Sequence, residues 1–426
     1  MTDFLAIPPA REMAGELRTP SSKSATNRAL VAGAMTSEPI EIAGPLESDD
    51  TVALRRCLAA MGATIAPVPG GLSVRGPLGR SADSPVTLDA ADSGTAARFL
   101  TAVAAAVPGR FLLSGSARLR ERPIGELVDA LRGGGARIEY AGSEGCLPVS
   151  IEGGSLKPGA VTVDASRSSQ FYSALLLAGV AVDGGLVVRV TGEVPSAPYV
   201  QMTLETLRAL GHSVTEDANG VHTRRGDRHV ARYEVPGDYS SAVPLLAAVA
   251  ACGGQVRLTG LRWPSLDADA RALPVLESMG LAIRGTSEGI DASASHGRLQ
   301  PVSVRATDFP DAVPSLAAAA AFADGPSRFD GVGHLRLKES DRIEALIEIL
   351  TRAGAKAYAD GEALVVEGPA QPGTDAARIP THRDHRMAMA AGILALRVPR
   401  LLIQNPDCVF KSYPAFFRDL DRLCVR

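Results

Sequence analysis

Six alanine-rich apolar runs, each entered through a polar turn, recur along the chain at intervals of roughly 70 residues. They occupy residues 26–36, 94–107, 169–182, 239–252, 311–323 and 385–396. Runs so poor in charge read as helices buried on all sides. Apolar residues make up 46% of the chain and aromatic residues only 4%, so such helices would pack closely through Ala, Leu and Val. The interval is longer than the usual solenoid period and gives each copy room for a small α/β unit.

Each run is followed by a β-branched strand pattern bounded by Gly or Pro, at 39–43, 110–113, 185–190, 255–258, 327–329 and 400–403. A polar loop and a second, amphipathic helix come next. In five copies that helix (54–61, 127–132, 204–210, 273–279, 346–352) closes on a glycine: Gly62, Gly135, Gly211, Gly280 or Gly354. Glycine adopts the left-handed cap at little steric cost. The sixth copy, 414–423, lacks it. The expected fold is α/β, with two similar lobes, each of three β-α-β-α-β-β repeats around buried parallel helices, an inside-out α/β barrel. The N-terminal lobe is expected at 21–233 and the C-terminal lobe at 1–20 plus 234–426. Parallel helices would gather their N-termini on one face of each lobe, with a cleft between two such faces.

A formal charge of −3 argues against a nucleic-acid or acidic-membrane partner. The start, Met1-Thr2-Asp3-Phe4-Leu5, shows no basic segment followed by an apolar one, and the apolar runs are too short to span a bilayer. The expectation is a cytoplasmic protein, monomeric, with no membrane partner. Five scattered cysteines without C-x-x-C spacing read as reduced thiols, and seven histidines form no H-x₃-H or H-E-x-x-H pattern, so no metal site is expected. The signatures of P-loop, dinucleotide-binding and serine-hydrolase sites are absent.

What the helix entrances do carry is cations: Lys23, Arg28, Arg98, Arg122, Arg342, Arg386 and Lys411. Arginine recognises carboxylate or phosphate with a planar fork, and lysine supplies a mobile point charge. Helix N-termini add free N–H groups and a positive dipole end. Together they suit a substrate with more than one anionic group. Ser168-Ser169 at a helix start suits a phosphate. Two acids, Asp311 and Glu339, interrupt the cations and could move a proton if set on a substrate hydroxyl. Asp49 and Asp50 read as structural, Asp49 being the candidate of the two for the cleft; His385 reads as a packed or orienting residue.

Five segments then carry a resemblance. Ser-Lys-Ser-Ala-Thr-Asn-Arg-Ala-Leu from Ser22, Ser-Gly-Thr-Ala-Ala-Arg from Ser93, and Arg-Glu-Arg-Pro-Ile-Gly-Glu-Leu-Val-Asp-Ala-Leu from Arg120 are three of them. The others are Leu-Lys-Glu-Ser-Asp-Arg from Leu337 and Asp-His-Arg-Met-Ala-Met from Asp384. In order and over essentially the whole chain, they resemble the motif set of the EPSP synthase (3-phosphoshikimate 1-carboxyvinyltransferase) family. The resemblance implies two lobes of three repeats that close on substrate. It implies transfer of the enolpyruvyl group of phosphoenolpyruvate to the 5-hydroxyl of shikimate 3-phosphate, with release of phosphate, on the route to chorismate and the aromatic amino acids. Lys23, Gly94, Arg122, Gln170, Arg342, Arg386 and Lys411 would hold phosphoenolpyruvate. Lys23, Ser24, Arg28, Ser168, Ser169, Gln170, Ser196, Tyr199, Asp311, His334 and Lys338 would hold shikimate 3-phosphate. Asp311 would take the hydroxyl proton, and Glu339, with Lys23 as a further candidate, would serve proton transfer at the methylene carbon. No cofactor or metal is implied.

Departures from the family pattern are His334 where Asn is common, His382-Arg383 for Tyr-Asn, Phe99 for Pro, and Ser93 for Ala. The rival enolpyruvyl transferase acting on UDP-N-acetylglucosamine usually carries a reactive Cys before the third motif, and here no cysteine lies between Cys57 and Cys146. A non-catalytic, anion-binding repeat scaffold is the rival of another class.

Overall fold

The computed structural model describes residues 4–79, 84–265, 267–295 and 299–426. The chain divides into two compact units, Ser21–Val235 and Met1–Pro20 with Pro236–Arg426, each with its own apolar core.

The unit Ser21–Val235 holds α1 (Lys23–Gly33), α2 (Asp49–Ala60), α3 (Gly94–Ala106), the short α4 (Ala117–Arg120), α5 (Gly125–Gly133), α6 (Ser169–Ala181) and α7 (Pro198–Ala209). Three four-stranded sheets accompany them, and all three share one pattern: a parallel pair followed by two antiparallel neighbours. Val86–Asp89 runs parallel to Gly109–Ser114, then come Val149–Gly153 and Arg137–Tyr140. Gly159–Asp164 pairs likewise with Leu186–Thr191, followed by Gly220–Arg224 and Ser213–Asp217. In the remaining sheet the parallel partner of Ile40–Ala43 is Arg232–Glu234, from the far end of the unit, with Gly71–Arg75 and Thr64–Val68 beyond.

The second unit holds α8 (Tyr239–Cys252), α9 (Leu273–Ser278), α10 (Val313–Ala320), α11 (Arg342–Arg352), α12 (His385–Ala395) and α13 (Phe416–Leu423). Its sheets repeat the pattern. Glu12–Arg18 runs parallel to Gly254–Thr259, with Gly289–Ala294 and Ala282–Gly285 beyond and Cys424–Val425 on the outer edge. Ser303–Arg305 and Pro326–Asp330 are followed by Ala363–Glu367 and Lys356–Asp360. The last sheet has three strands, Ala377–Ile379, Leu401–Gln404 and Phe4–Ala6.

The apolar runs are the helices at the centre of each core. Every residue of α8 is buried, as is all of α12. Small side chains set the packing distance: a β-carbon on Gly179 of α6 would come within 2.1 Å of the Thr223 hydroxyl, so the helix lies flush on its strand only because the site is glycine. Two runs differ from expectation. The first helix begins at Lys23 rather than 26, because Ser22 is its cap, accepting the Ala25 N–H at 3.3 Å. The fifth spans Val313–Ala320 rather than 311–323, because Asp308-Phe309-Pro310-Asp311 forms a turn before it. No helix among the described residues is long and apolar enough to cross a membrane.

Candidate active site

Within Ser21–Val235 the three central helices meet at their first turns. Ser22, Ser93 and Ser168 cap α1, α3 and α6, each accepting a backbone N–H at 3.3 Å. Gln170 and Thr95, the second residues of α6 and α3, hydrogen-bond at 3.2 Å from the amide nitrogen to the hydroxyl. The Arg28 guanidinium of α1 lies 5.3 Å from the Phe99 ring of α3 and 3.5 Å from the Ser173 hydroxyl of α6. Their free N–H groups therefore collect at one end of the unit.

Lys23, the first residue of α1, reaches the first turn of α2, where its ammonium pairs with Asp50 at 3.2 Å. Asp50 faces inward and is buried, whereas Asp49 is exposed, the reverse of their expected order. Gly94 opens α3 where two guanidinium groups converge: a β-carbon there would lie 2.6 Å from Arg122 Nη1 and 2.8 Å from Arg98 Nη1. Arg98 is fixed by the carbonyls of Gly94 and Pro123, at 3.2 and 2.9 Å. Arg28 is anchored within the unit: it donates to the Thr203 hydroxyl at 2.7 Å and to the carbonyls of Ser24 and Tyr199 at 3.0 Å each. The Tyr199 ring stands 5.9 Å from the same guanidinium. Ser169 and Ser196 are buried, and Ser196 has φ +57°, a conformation that turns the chain into α7.

The second unit gathers Asp311, Glu339, Arg342, Arg386 and Lys411. Arg342 is 1% exposed and meets three carboxylates: Asp384 at 2.8 Å, Asp311 at 2.8 Å and Glu339 at 3.0 Å. Burial opposes its charge, but Asp384, Glu339 and Asp311 outweigh burial and lift its pKa well above the ordinary arginine value. Arg386 shares Asp311, reaching the other carboxylate oxygen at 3.2 Å. Its terminal nitrogens also bond the Ser240 carbonyl at 2.5 Å and hydroxyl at 2.7 Å. That hydroxyl donates to Asp238, the cap of α8, at 2.7 Å. Lys411 lies 3.8 Å from Glu339.

Asp384 caps α12 through the Arg386 N–H at 2.9 Å, accepts the Ser340 hydroxyl at 3.1 Å, and is fully buried. His385 is buried beside it, with Nδ1 3.6 Å from Asp384. His334 is half-buried. Burial first, then the charges of Lys338 and Arg342, push its pKa down to about 3 against the pull of Asp311 and a bond to the Gly331 carbonyl. The ring is thus neutral, and Nε2, with no hydrogen-bond partner among the described residues, is left as an acceptor.

Sequence reasoning reads Asp50 as structural without its partner Lys23, and assigns no role to Asp384, Ser240 or Asp238. An Asp or Ser before a helix announces a cap. It does not announce that the second carboxylate oxygen of Asp384 reaches an arginine 42 positions earlier. The five cysteines are free; burial pushes Cys57, Cys252 and Cys408 up to about 12 and Cys424 to about 11, so these four are protonated thiols at neutral pH.

Residues 7–420 match the family profile of EPSP synthase (3-phosphoshikimate 1-carboxyvinyltransferase). The 3-phosphoshikimate 1-carboxyvinyltransferase of Laribacter hongkongensis is 38% identical over 422 residues, 97% of this chain and 98% of that protein. That of Syntrophobacter fumaroxidans is 38% identical over 419 residues, covering 98% and 99%. Among solved structures, EPSP synthase from Acinetobacter baumannii superposes with a TM-score of 0.80 at 26% identity, over 99% of this chain and 98% of that one. The enolpyruvyl transferase NikO from Streptomyces tendae shares the fold, with a TM-score of 0.78 at 21% identity over 99% and 97%.

Proposed function

The chain belongs to the EPSP synthase (3-phosphoshikimate 1-carboxyvinyltransferase) family, and from that premise we propose how its residues divide the reaction. The enzyme transfers the enolpyruvyl group of phosphoenolpyruvate to the 5-hydroxyl of shikimate 3-phosphate and releases phosphate, in aromatic amino acid biosynthesis. Lys23, Gly94, Arg122, Gln170, Arg342, Arg386 and Lys411 bind phosphoenolpyruvate, the arginines with planar forks and the α3 N-terminus with its free N–H groups. Ser24, Arg28, Ser168, Ser169, Gln170, Ser196, Tyr199, Asp311, His334 and Lys338 bind shikimate 3-phosphate, with Lys23 beside both. His334, neutral and with a buried acceptor nitrogen, takes a substrate hydroxyl rather than the phosphate.

In the transfer, the 5-oxygen bonds to the carbon bearing the phosphate, its proton passes to Asp311, and the methylene carbon gains a proton from Glu339 or Lys23. Loss of a proton from that carbon and departure of phosphate restore the double bond. The sheets recur with one strand pattern and the helix entrances of Ser21–Val235 coincide. These features support two lobes of three β-α-β-α-β-β repeats around parallel helices.

The observation that carries the site assignment is Asp311 held between Arg342 and Arg386, a proton acceptor set directly on anion-binding groups. Phosphate release with both substrates present tests it. Asp311→Ala should lose about three orders of magnitude in kcat, the scale of general base catalysis, and a wild-type rate would remove Asp311 from the mechanism.

A further inference from the structure

The three carboxylates on Arg342 are not equivalent. Asp384 is fully buried and holds the inner edge of the guanidinium, Nε at 2.8 Å and Nη2 at 3.4 Å. The same carboxylate takes the α12 N–H of Arg386 and the Ser340 hydroxyl. Removing it would leave several donors stranded, so it is a fixed member of the fold. Asp311 and Glu339 differ: their side chains are 23% and 17% exposed. They take the two terminal nitrogens, Nη1 at 2.8 Å and Nη2 at 3.0 Å. Asp311 gives its second oxygen to Arg386 at 3.2 Å, and the second oxygen of Glu339 faces Lys411 at 3.8 Å. The nitrogens best placed to present a fork to an anion are thus covered by the two most solvent-accessible carboxylates of the cluster.

We propose that Asp384 is a positioning residue that keeps Arg342 in place, and that Asp311 and Glu339 occupy the anion-binding nitrogens of Arg342, Arg386 and Lys411 until phosphoenolpyruvate displaces them. The proposal rests on the assignment of those three cations to phosphoenolpyruvate. Three cations facing three carboxylates leave the cluster near neutrality, which lowers the cost of holding two buried arginines together. When a phosphate or carboxylate takes the forks, Asp311 and Glu339 keep lone pairs no longer committed to a guanidinium or ammonium. A carboxylate in that condition can accept a proton from the hydroxyl or exchange one with the methylene carbon. Anion binding and readiness of the acid–base pair become one event, so the acids are freed only when there is substrate to act on.

The proposal predicts an inversion: removing a catalytic carboxylate tightens anion binding. Titration calorimetry of the full-length protein with phosphoenolpyruvate alone, and with inorganic phosphate alone, reads it without turnover. Asp311→Asn should bind phosphoenolpyruvate roughly tenfold tighter than the unaltered chain, the factor that about 1.4 kcal/mol of relieved competition gives. Affinity equal to or weaker than that of the unaltered chain would overturn the exchange. Should Asp311→Asn fail to melt cooperatively, Glu339→Gln carries the same test with the same outcomes. Asp384→Asn should weaken phosphoenolpyruvate about tenfold while shikimate 3-phosphate binding stays within about twofold; equal losses for both ligands mark a merely structural role and overturn the positioning claim. Arg342→Lys and Lys411→Gln separate the layers. If they lose no affinity for phosphoenolpyruvate, the assignment of the cations falls. If they lose it and Asp311→Asn gains none, only the exchange is refuted.

Discussion

Gly94 and Arg122 stand so close that a β-carbon on the glycine would lie 2.6 Å from a terminal guanidinium nitrogen, with Arg98 only 2.8 Å away. Both obstructing groups are side-chain tips rather than backbone, so Gly94→Ala would shift guanidinium groups rather than break α3. A displaced fork loses bidentate geometry while keeping its charge. The expected outcome is a KM for phosphoenolpyruvate raised about tenfold, on the scale of a misplaced positioning group, with the melting temperature nearly unchanged. Steady-state kinetics beside thermal melts would check it; a large loss of stability with unaltered KM would contradict the geometry.

Lys23 and Asp50 yield a second prediction. Their side chains are 12% and 4% exposed, so the pair lies between a surface ion pair and a fully buried one. Asp50→Asn should destabilise the protein by about 2 kcal/mol, below the cost of breaking a fully buried pair and above that of an exposed one. The ammonium, no longer tethered, should also lower kcat/KM. Asp49→Asn, on the exposed side of the same turn, should change both quantities far less. Urea unfolding of the two variants compares neighbouring carboxylates in one helix.

Four of the six apolar runs begin at the helix starts seen in the structure, Gly94, Ser169, Tyr239 and His385, because a Ser or Asp cap stands directly before an uninterrupted apolar stretch. The first began early because a polar turn, Lys23-Ser24, is itself helical, and the fifth began late behind Pro310. Pairings of distant short strands were illegible. Arg232–Glu234 joins Ile40–Ala43, and Cys424–Val425 joins Glu12–Arg18, through segments too short to show a period. At the site, residue types at helix entrances were readable and their partners were not. Arg28 reads as a ligand-facing cation by type, which does not show that its nitrogens also tie α1 to Thr203, Ser24 and Tyr199. Only packing decides how many donors an arginine has left to offer.

Arg342 and Asp384 define the most costly single change. Asp384 is 0% and Arg342 1% exposed. Arg342→Gln would leave a buried carboxylate without its cation, and a loss of about 3–5 kcal/mol is expected. Arg342→Lys keeps a charge but loses the fork, so a smaller loss is expected, with Asp384 still neutralised. Denaturant midpoints for the two variants give the comparison. Equal losses would mean that fork geometry, rather than charge, is what Asp384 requires.

His334 gives the pH prediction. Its pKa lies at about 3 in the folded chain against an ordinary 6.5. Between those values the unfolded chain binds a proton that the folded chain does not, so stability rises with pH across the window. The contribution is therefore intact above about pH 6.5 and is lost progressively as pH falls towards 3. His334→Asn removes the titrating group and should flatten that slope. At pH 5.5, one unit below the ordinary value, the variant should gain about 1.4 kcal/mol relative to its difference from the unaltered chain at pH 8. Urea unfolding at the two pH values measures the gain directly. A parallel shift of both curves would show that the ring titrates alike in the folded and unfolded chains, so that at pH 5.5 it is protonated and Nε2 is a donor.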